Sequence, residues 1–411
     1  MIGNQLIDQY ARNITDEKQH SVLNGSAAGT EKRYQVLHKD FENPDELRKL
    51  AASIKDHTLH HLGDYLAKAE QALVSRGVNV HFAATGDDAK QTILSILQGH
   101  GVTALTKAKS MAAEEIHLNP FLIENGIECL ESDLGEFIIQ LDDDIPSHIV
   151  KPIIHKNRRE IAKTFLREGI APDYNDDPET ITRRARVHLR EKYMQAQAGI
   201  TGANFVCADT GRILLVTNEG NSRFGMAPSN VHIALVGIEK LIPREKDLSV
   251  FLNLLGRSAT GQQLTVYTEF INGPKSANQP DGPEHMHVVF MDNGRTDVLA
   301  SNCKEILRCI RCGACQNVCP VDIPIPDLLL RLRDKAHREH IHSPAAIPMA
   351  PFATLATSPS LWRTAMTMSK AMNHLPIHVA PIKPLQDWLG QRTLPESHGG
   401  DFRKWYKARK S

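Results

Sequence analysis

The sequence carries no excess charge of either sign: 48 Lys and Arg balance 48 Asp and Glu. Without a basic field nothing holds a polyphosphate backbone at long range, so no nucleic acid is expected as a partner. No window reaches the roughly 18–20 uninterrupted apolar residues that a spanning helix needs, and no transmembrane segment is expected. A peripheral membrane contact stays open. Residues 347–380, rich in Pro, Met and Ala with Phe352 and Trp362, read as a partner-docking tail or as a loosely packed cover over the core. Residues 1–18 mix Asp8, Arg12, Asp16 and Glu17 with isolated apolar residues and lack the apolar core of a secretory signal, which makes the cytoplasm the expected compartment. There is no G-x-G-x-x-G, so a nicotinamide or flavin site of that type has no support. Gly256-Arg-Ser-Ala-Thr-Gly261-Gln262-Gln263 has the glycine spacing of a phosphate loop but places Gln262 where the lysine belongs, which argues against a nucleoside triphosphatase. Cysteine is scarce, 7 in 411 residues, so a short disulfide scaffold is excluded.

At about 150 residues per domain the chain makes two or three domains, and its 41% apolar and 23% charged residues fit a soluble globular protein. Residues 1–76 read as a helical N-terminal region, because Leu47, Leu50, Ile54, Leu59, Leu62, Leu66, Ala69 and Leu73 recur at spacings of three and four. His57, His60 and His61 share a face there, but no carboxylate or cysteine completes a metal-ligand set, and they read as a solvated helix face. From Val78 short β-rich runs alternate with helical stretches, the pattern of an α/β domain with a largely parallel sheet over 77–298. Strands are expected at Val78–Ala84, Val102–Lys107, Glu136–Leu141, Phe205–Thr217, Val231–Gly237, Leu264–Ile271 and His287–Asp292. Helices are expected at Asp87–Gly99, Thr180–Gln197 and Asp247–Arg257, with a loop at Pro172–Pro178. Gly211, following Asp209-Thr210, turns Phe205–Thr217 into a hairpin. Residues 299–340 form a small cysteine-bearing segment, and 341–411 a Pro-rich tail with a basic end.

Four cysteines fall within eleven residues. Cys309-Ile-Arg-Cys312-Gly-Ala-Cys315-Gln-Asn-Val-Cys319-Pro320 has the C-x2-C-x2-C-x3-C-P spacing of [4Fe–4S] ligation. A cubane takes one thiolate per iron; two-residue gaps wrap the backbone round one face so that three sulfurs converge, and Gly313 permits the close approach. A zinc ribbon instead uses two C-x2-C pairs set far apart, or cysteine mixed with histidine. In two-cluster ferredoxins the fourth cysteine of a run serves the other cluster, yet no cysteine follows Cys319. The expectation is one [4Fe–4S] cluster on Cys309, Cys312, Cys315 and Cys319, with Cys303 as the alternative to Cys319. Its default role is electron transfer, one electron at a time. Lys304, Arg308 and Arg311 beside it either tune the potential and steer an acidic partner or are simply solvated.

The domain ahead of the cysteines narrows the reading. Lys107-Ala-Lys109-Ser-Met111 with Glu114-Glu115, Glu131-Ser-Asp133-Leu-Gly-Glu136, Pro146-Ser-His148-Ile149, Gly199-Ile-Thr-Gly202-Ala-Asn204, Asn218-Glu219-Gly220-Asn221, Gly237-Ile-Glu239-Lys240 and Asp292-Asn-Gly-Arg295 occur in order. With these stretches and its C-terminal Trp388 and Phe402–Trp405, the chain resembles the lactate utilization protein B family over roughly residues 30–411, a LUD domain followed by a ferredoxin-like segment. The resemblance implies an α/β fold related to CoA-transferase and sugar-phosphate-isomerase domains. It also implies a part in NAD-independent oxidation of L-lactate to pyruvate, with L-lactate as a ligand and two partners: a cysteine-rich subunit and a second LUD-domain subunit. Members of the family usually carry two cysteine runs and two clusters. Here the chain passes directly from Cys315 to Cys319-Pro320-Val-Asp-Ile-Pro, whose ending resembles the sequence after the second run, as though the interval had been deleted. Such a join keeps one cluster's ligand set in the two-cluster scheme.

Removing two electrons and two protons from lactate needs a base and an acceptor. Polar candidates in the LUD domain are Lys107, Lys109, Glu114, Glu115, Asp133, Glu136, His148, His155, Asn218, Glu219 and Glu239, several beside glycine or at strand ends, where α/β folds place ligands. The catalytic set is expected among Lys109, Glu115, Asp133, His148, Glu219 and Glu239; as helix caps or ion pairs, the same residues would be structural only. Asn218-Glu219-Gly220 also resembles the nucleophilic glutamate turn of CoA-transferases. That keeps a second reading, a small-acid or CoA-transferase-like enzyme with a structural or sensory cluster. A third is a non-catalytic electron relay.

Overall fold

The computed structural model describes residues 29, 31–144 and 152–296, together with 357, 358, 360, 361 and 364. His148, Cys303 and the four clustered cysteines lie outside the described residues. The described residues from 29 to 296 fall in one compact unit and those from 357 in a second, in which Thr357, Ser360, Leu361 and Thr364 are helical.

The first unit is built on a six-stranded sheet in the order β1-β10-β7-β4-β2-β3, every neighbouring pair parallel. Its strands are β1 Asn79–Ala83, β2 Ala104–Lys107, β3 Glu128–Glu131, β4 Ala198–Thr201, β7 Val231–Gly237 and β10 His285–Met291. A four-stranded sheet, β8-β5-β6-β9, lies beside it: β5 Phe205–Cys207, β6 Ile213–Thr217, β8 Leu241–Ile242 and β9 Tyr267–Ile271. β5 and β6 pair antiparallel, the hairpin expected around Gly211 (φ 67°).

Side chains alternate across the large sheet. One face, including Leu105, Cys129, Ile200, Ile233, Leu235 and Val289, packs under α3 Gly86–Gly99, α4 Met111–Glu115 and α5 Leu118–Glu124. The other, with Ala234, Val236, Met286, Val288 and Phe290, packs on Ala69 and Leu73 of α2 Leu62–Val74 and on Val206 and Ile213 of the small sheet. Ala51 of α1 Pro44–His60 joins a third core with Leu214, Ile242, Phe251 and Leu254, the last two on α10 Leu248–Thr260. A fourth unites α6 Leu134–Leu141, α7 Arg158–Arg167 and α8 Pro178–Gln195 through Phe137, Ile138, Phe165, Ile181 and Leu189.

Local signals explain most boundaries. Asn43 caps α1, with Pro44 at its first position, and a Thr85–Asp88 capping box opens α3. The expected strand Glu136–Leu141 is instead the body of helix α6. Asp133 accepts hydrogen bonds from the backbone N–H groups of Gly135 (2.9 Å) and Glu136 (3.1 Å), and this cap starts a helix whose apolar run is buried on the fourth core. A short apolar run has no periodicity to separate helix from strand, and the cap decides it. β3 and β4, four residues each and one of them containing Gly199, escaped the sequence reading. The open edge of β3 is closed by Gln140, whose Nε2 donates to the carbonyl of Cys129 (2.6 Å) and whose Oε1 accepts from the N–H of Glu131 (3.0 Å). Among the described residues no helix is long and apolar enough to cross a membrane.

Candidate functional site

Two charged networks gather where the parallel strands end, the edge at which open α/β sheets bind ligands. Lys107 is the last residue of β2 and stands in register with Glu131, the last of β3. Neighbours in a parallel pair point to the same face, so register alone brings the two side chains together. Lys107 Nζ is 2.8 Å from Glu131 Oε1 and 3.1 Å from Glu114 Oε1, and its side chain is wholly buried. Burial alone would push the ammonium toward deprotonation. The charges of Glu131 and Glu114 outweigh it and hold Lys107 protonated beyond the usual lysine range.

Glu136, in the first turn of α6, joins the same cluster. Burial first, then the charge of Glu131, push its carboxyl up to about 8, so it holds its proton at neutral pH. Glu131 Oε2 and Glu136 Oε2 are buried and reached by no donor N–H or hydroxyl group. A proton on Glu136 is hydrogen-bonded to Glu131, the arrangement of two carboxyls that cannot both ionise. Asn119 Nδ2 donates to Glu131 Oε1, and Cys129 Sγ donates to Asn119 Oδ1 (3.3 Å). Carboxylate oxygens of Glu114, Glu131 and Glu136 lie within 4.8 Å of one another, a metal-like spacing. The ammonium of Lys107 already sits between two of them and serves as their cation.

The second network is built on Arg295. Its Nη1 and Nη2 meet Glu115 Oε1 (3.0 Å) and Oε2 (2.7 Å) in a fork, while Nε meets Glu239 Oε2 at 2.5 Å. Asn293 Nδ2 adds a bond to Glu115 Oε1 (2.5 Å). Although burial raises it, the hydrogen bonds from Arg295 and Asn293 hold the Glu115 carboxyl below the usual range. Lys55 of α1 donates to the carbonyl oxygens of Glu239 and Leu241, and burial pushes its ammonium down to about 8. Glu114 and Glu115, adjacent in α4, thus divide between the two networks.

Of the other expected site residues, Lys109 is half-buried in the turn after β2. Asp133 is committed to the α6 cap. Glu219 lies exposed in the turn after β6, its carboxylate accepting from the Thr217 hydroxyl (3.1 Å) and the Asn218 N–H (3.2 Å). His155 Nε2 contacts Asp144 Oδ2 at 2.9 Å, away from both networks. The turn after β6 reaches the sheet edge through Asn221 Nδ2, which donates to Ser132 Oγ (3.1 Å). That approach depends on α9, Asn221–Met226, lying flat on β4: a Cβ on Gly199 would overlap the carbonyl oxygen of Gly225. The structure brings together Glu115 and Glu239 but not Asp133 or Glu219 with them. Glu131 and Arg295 were not singled out from sequence. The signal for Glu131 was a charged residue closing a short strand, readable only once its register with Lys107 is known.

The remaining cysteines test the expected cluster. Cys129 and Cys207 are buried in the core, and burial first, then neighbouring carboxylates, push each thiol up to about 12. Both sulfurs are enclosed in hydrophobic cores, so of seven cysteines five are left as candidate ligands, all in 303–319. That donor set fits one thiolate-ligated cubane.

Comparison with known proteins agrees with this layout. A LUD domain model matches residues 66–291, a 4Fe-4S binding domain model 307–325, and a model described as the C-terminal part of lactate utilisation protein B 333–411. An uncharacterized electron transport protein YkgF of Escherichia coli K12 is 35% identical over 97% of this chain and 96% of its own length. Lactate utilization protein B of Bacillus cytotoxicus is 34% identical over the same shares. The alignments run to 459 and 463 positions while covering 97% of the 411 residues of this chain, so these relatives carry roughly sixty residues with no counterpart here. A crystal structure of a DUF162 family protein from Deinococcus radiodurans aligns with 56% of this chain and 98% of its own at 11% identity, with a TM-score of 0.33. From its LUD domain, its 4Fe-4S segment and its full-length relatives, the chain belongs to the lactate utilization protein B family.

Proposed function

We propose that this protein is the iron–sulfur electron-transfer member of an NAD-independent system that oxidises L-lactate to pyruvate. It works with a cysteine-rich subunit and a second LUD-domain subunit. The observation that carries the reading is the run Cys309, Cys312, Cys315, Cys319 inside the stretch matched by a 4Fe-4S binding domain, in a chain whose two described cysteines, Cys129 and Cys207, are buried. The domains we assign are 1–76 helical, 77–298 LUD, 299–340 ferredoxin-like and 341–411 tail. Five available cysteines cannot supply the eight thiolates of two cubanes, so one [4Fe–4S] cluster is assigned to Cys309, Cys312, Cys315 and Cys319, with Cys303 as the alternative fourth ligand.

A bound cluster accepts and passes one electron at a time. Oxidising lactate to pyruvate also releases two protons, and the sheet edge has groups to handle them. Glu136 holds a proton at neutral pH and shares it with Glu131. Lys107 keeps that buried pair from carrying uncompensated charge. Arg295 fixes Glu115 and Glu239 beside it.

The test is reconstitution of the anaerobically purified protein with both partner subunits. Lactate should change the cluster's EPR signal, and analysis should return about four irons and four sulfides per chain. About eight irons, or a lactate response that survives Cys309→Ser, would overturn the reading. Coenzyme A ester exchange by the isolated chain without electron transfer would favour the transferase-like alternative with Glu219 as nucleophile.

A further inference from the structure

The edge of the large sheet at β3 is only half covered. Glu128 and Ser132 donate their N–H groups to the carbonyls of Thr103 and Lys107, so the even-numbered residues bond to β2 and the backbone of Ile127, Cys129 and Glu131 faces outward. Gln140 covers one step of that edge. Its amide donates to Cys129 C=O (2.6 Å) and accepts from Glu131 N–H (3.0 Å), as a peptide unit of a further strand would. One step back, Ile127 C=O and Cys129 N–H face the same way, and among the described residues neither has a hydrogen-bond partner. Ile127 is 4% exposed and Cys129 3%. A buried backbone N–H without a partner is rare, and it asks for one.

The two groups border a cavity of about 520 Å3, an ordinary size for a small-molecule site. Alternation along β3 sets its apolar walls. Helix α5 packs on the Cys129 side of the sheet and contributes Ile123, while Phe137 and Leu141 of α6 stand with Leu130 on the other side. His188 of α8 stacks on Phe137, with ring centroids 5.7 Å apart. Lys192, which also lines the cavity, is paired with Glu128 at 2.8 Å, so its charge is already answered.

The open stretch is a single acceptor–donor pair. On one side the Ile127 N–H is taken by the carbonyl of Leu122, and on the other Gln140 fills the next step. An added peptide strand needs a run of such pairs. One edge of a planar heterocycle needs only one. Adenine matches it, because its N6 amino group donates beside a ring nitrogen that accepts. We propose that the open edge of β3 binds the adenine base of a nucleoside or nucleotide. Ile127 C=O accepts from N6, Cys129 N–H donates to the neighbouring ring nitrogen, and the base continues the plane of the sheet between Ile123 and the side chains of Phe137 and Leu141. The base, not a phosphate, carries the recognition, and it lies two residues before Glu131 on the same strand.

The test uses the anaerobic protein with its iron–sulfur cluster assembled, labelled with 15N-cysteine and titrated with adenosine. The Cys129 N–H signal, assigned by its disappearance in Cys129→Ala, should shift, while that of Cys207, in another core of the same domain, stays in place. Purine riboside, which lacks the amino donor, should bind at least about tenfold more weakly. Ile123→Trp, at an exposed position on the cavity wall, should weaken adenosine binding by at least about tenfold with iron content unchanged. The proposal fails if millimolar adenosine leaves the Cys129 N–H signal unmoved, or if purine riboside binds as adenosine does. It also fails if N-acetyl-dialanine amide shifts that signal and adenosine does not, since the edge would then take a peptide strand.

Discussion

Lys107 and Glu131 close two neighbouring parallel strands at the same register position, and their side chains form a buried ion pair at 2.8 Å. The strand ladder itself delivers one charge to the other. The pair also sets the state of Glu136 next to it, because the buried acid is surrounded by more negative charge than one ammonium balances.

Lys107→Met should cost about 3–5 kcal/mol, since it leaves Glu131 charged, buried and without its cation. Chemical denaturation measures the loss. The double variant Lys107→Met, Glu131→Leu removes both charges and should recover most of it; a double variant as unstable as the single one would mean that packing, not charge, is what Lys107 provides.

The proton on Glu136 makes stability pH-dependent in a stated direction. The folded protein keeps that proton until about pH 8, whereas the unfolded chain releases it near 4.5, so this group's contribution falls as pH rises between those values. Glu136→Gln mimics the protonated form and does not titrate. Its stability relative to wild type should grow from pH 5 to pH 8, by on the order of 3 kcal/mol. A difference that stays flat across this range would show that Glu136 is ionised throughout.

On the acid side the histidines act with the opposite slope. His232 and His287 are held neutral by burial, with folded values lowered to about 4 from 6.5. Their contribution is complete above pH 6.5 and is lost as pH falls toward 4, because the unfolded chain takes up the protons first. His232 is fully buried and accounts for on the order of 3 kcal/mol of this. Urea denaturation at pH 7 and pH 4.5 measures the slope, and His232→Leu should flatten it.

Cys129→Ala and Cys207→Ala should both retain a full iron content, because both sulfurs are enclosed in hydrophobic cores of the LUD domain. Cys312→Ser should lose the cluster. Iron and sulfide analysis of the three anaerobic preparations separates these outcomes; loss of iron from either core variant with its fold intact would place that cysteine in the ligand set.

Much of the scaffold was legible in the sequence. The run Val231–Gly237, apolar but for His232, marks a strand buried on both faces, and all seven residues are buried at the centre of the sheet. Asp209-Thr210-Gly211 marked the β5–β6 hairpin. The apolar run in Glu136–Leu141 misled, since strand and helix look alike over so few residues, and the deciding group was the Asp133 cap. The site was half legible. Lys107, Glu114 and Glu136 stand out as charged residues beside strand ends, while Glu131 and Arg295 acquire roles only through partners 24 and 180 positions away.

The four-cysteine run and its [4Fe–4S] reading belong to the sequence alone, because the ligands of a cubane fit within eleven residues and spacing along the chain is spacing in space. The LUD-domain networks and the open edge of β3 belong to the tertiary structure. Which carboxylate meets Lys107, and which backbone groups of β3 face outward, depends on strand order and register, and those are decided by how the whole sheet buries its two faces.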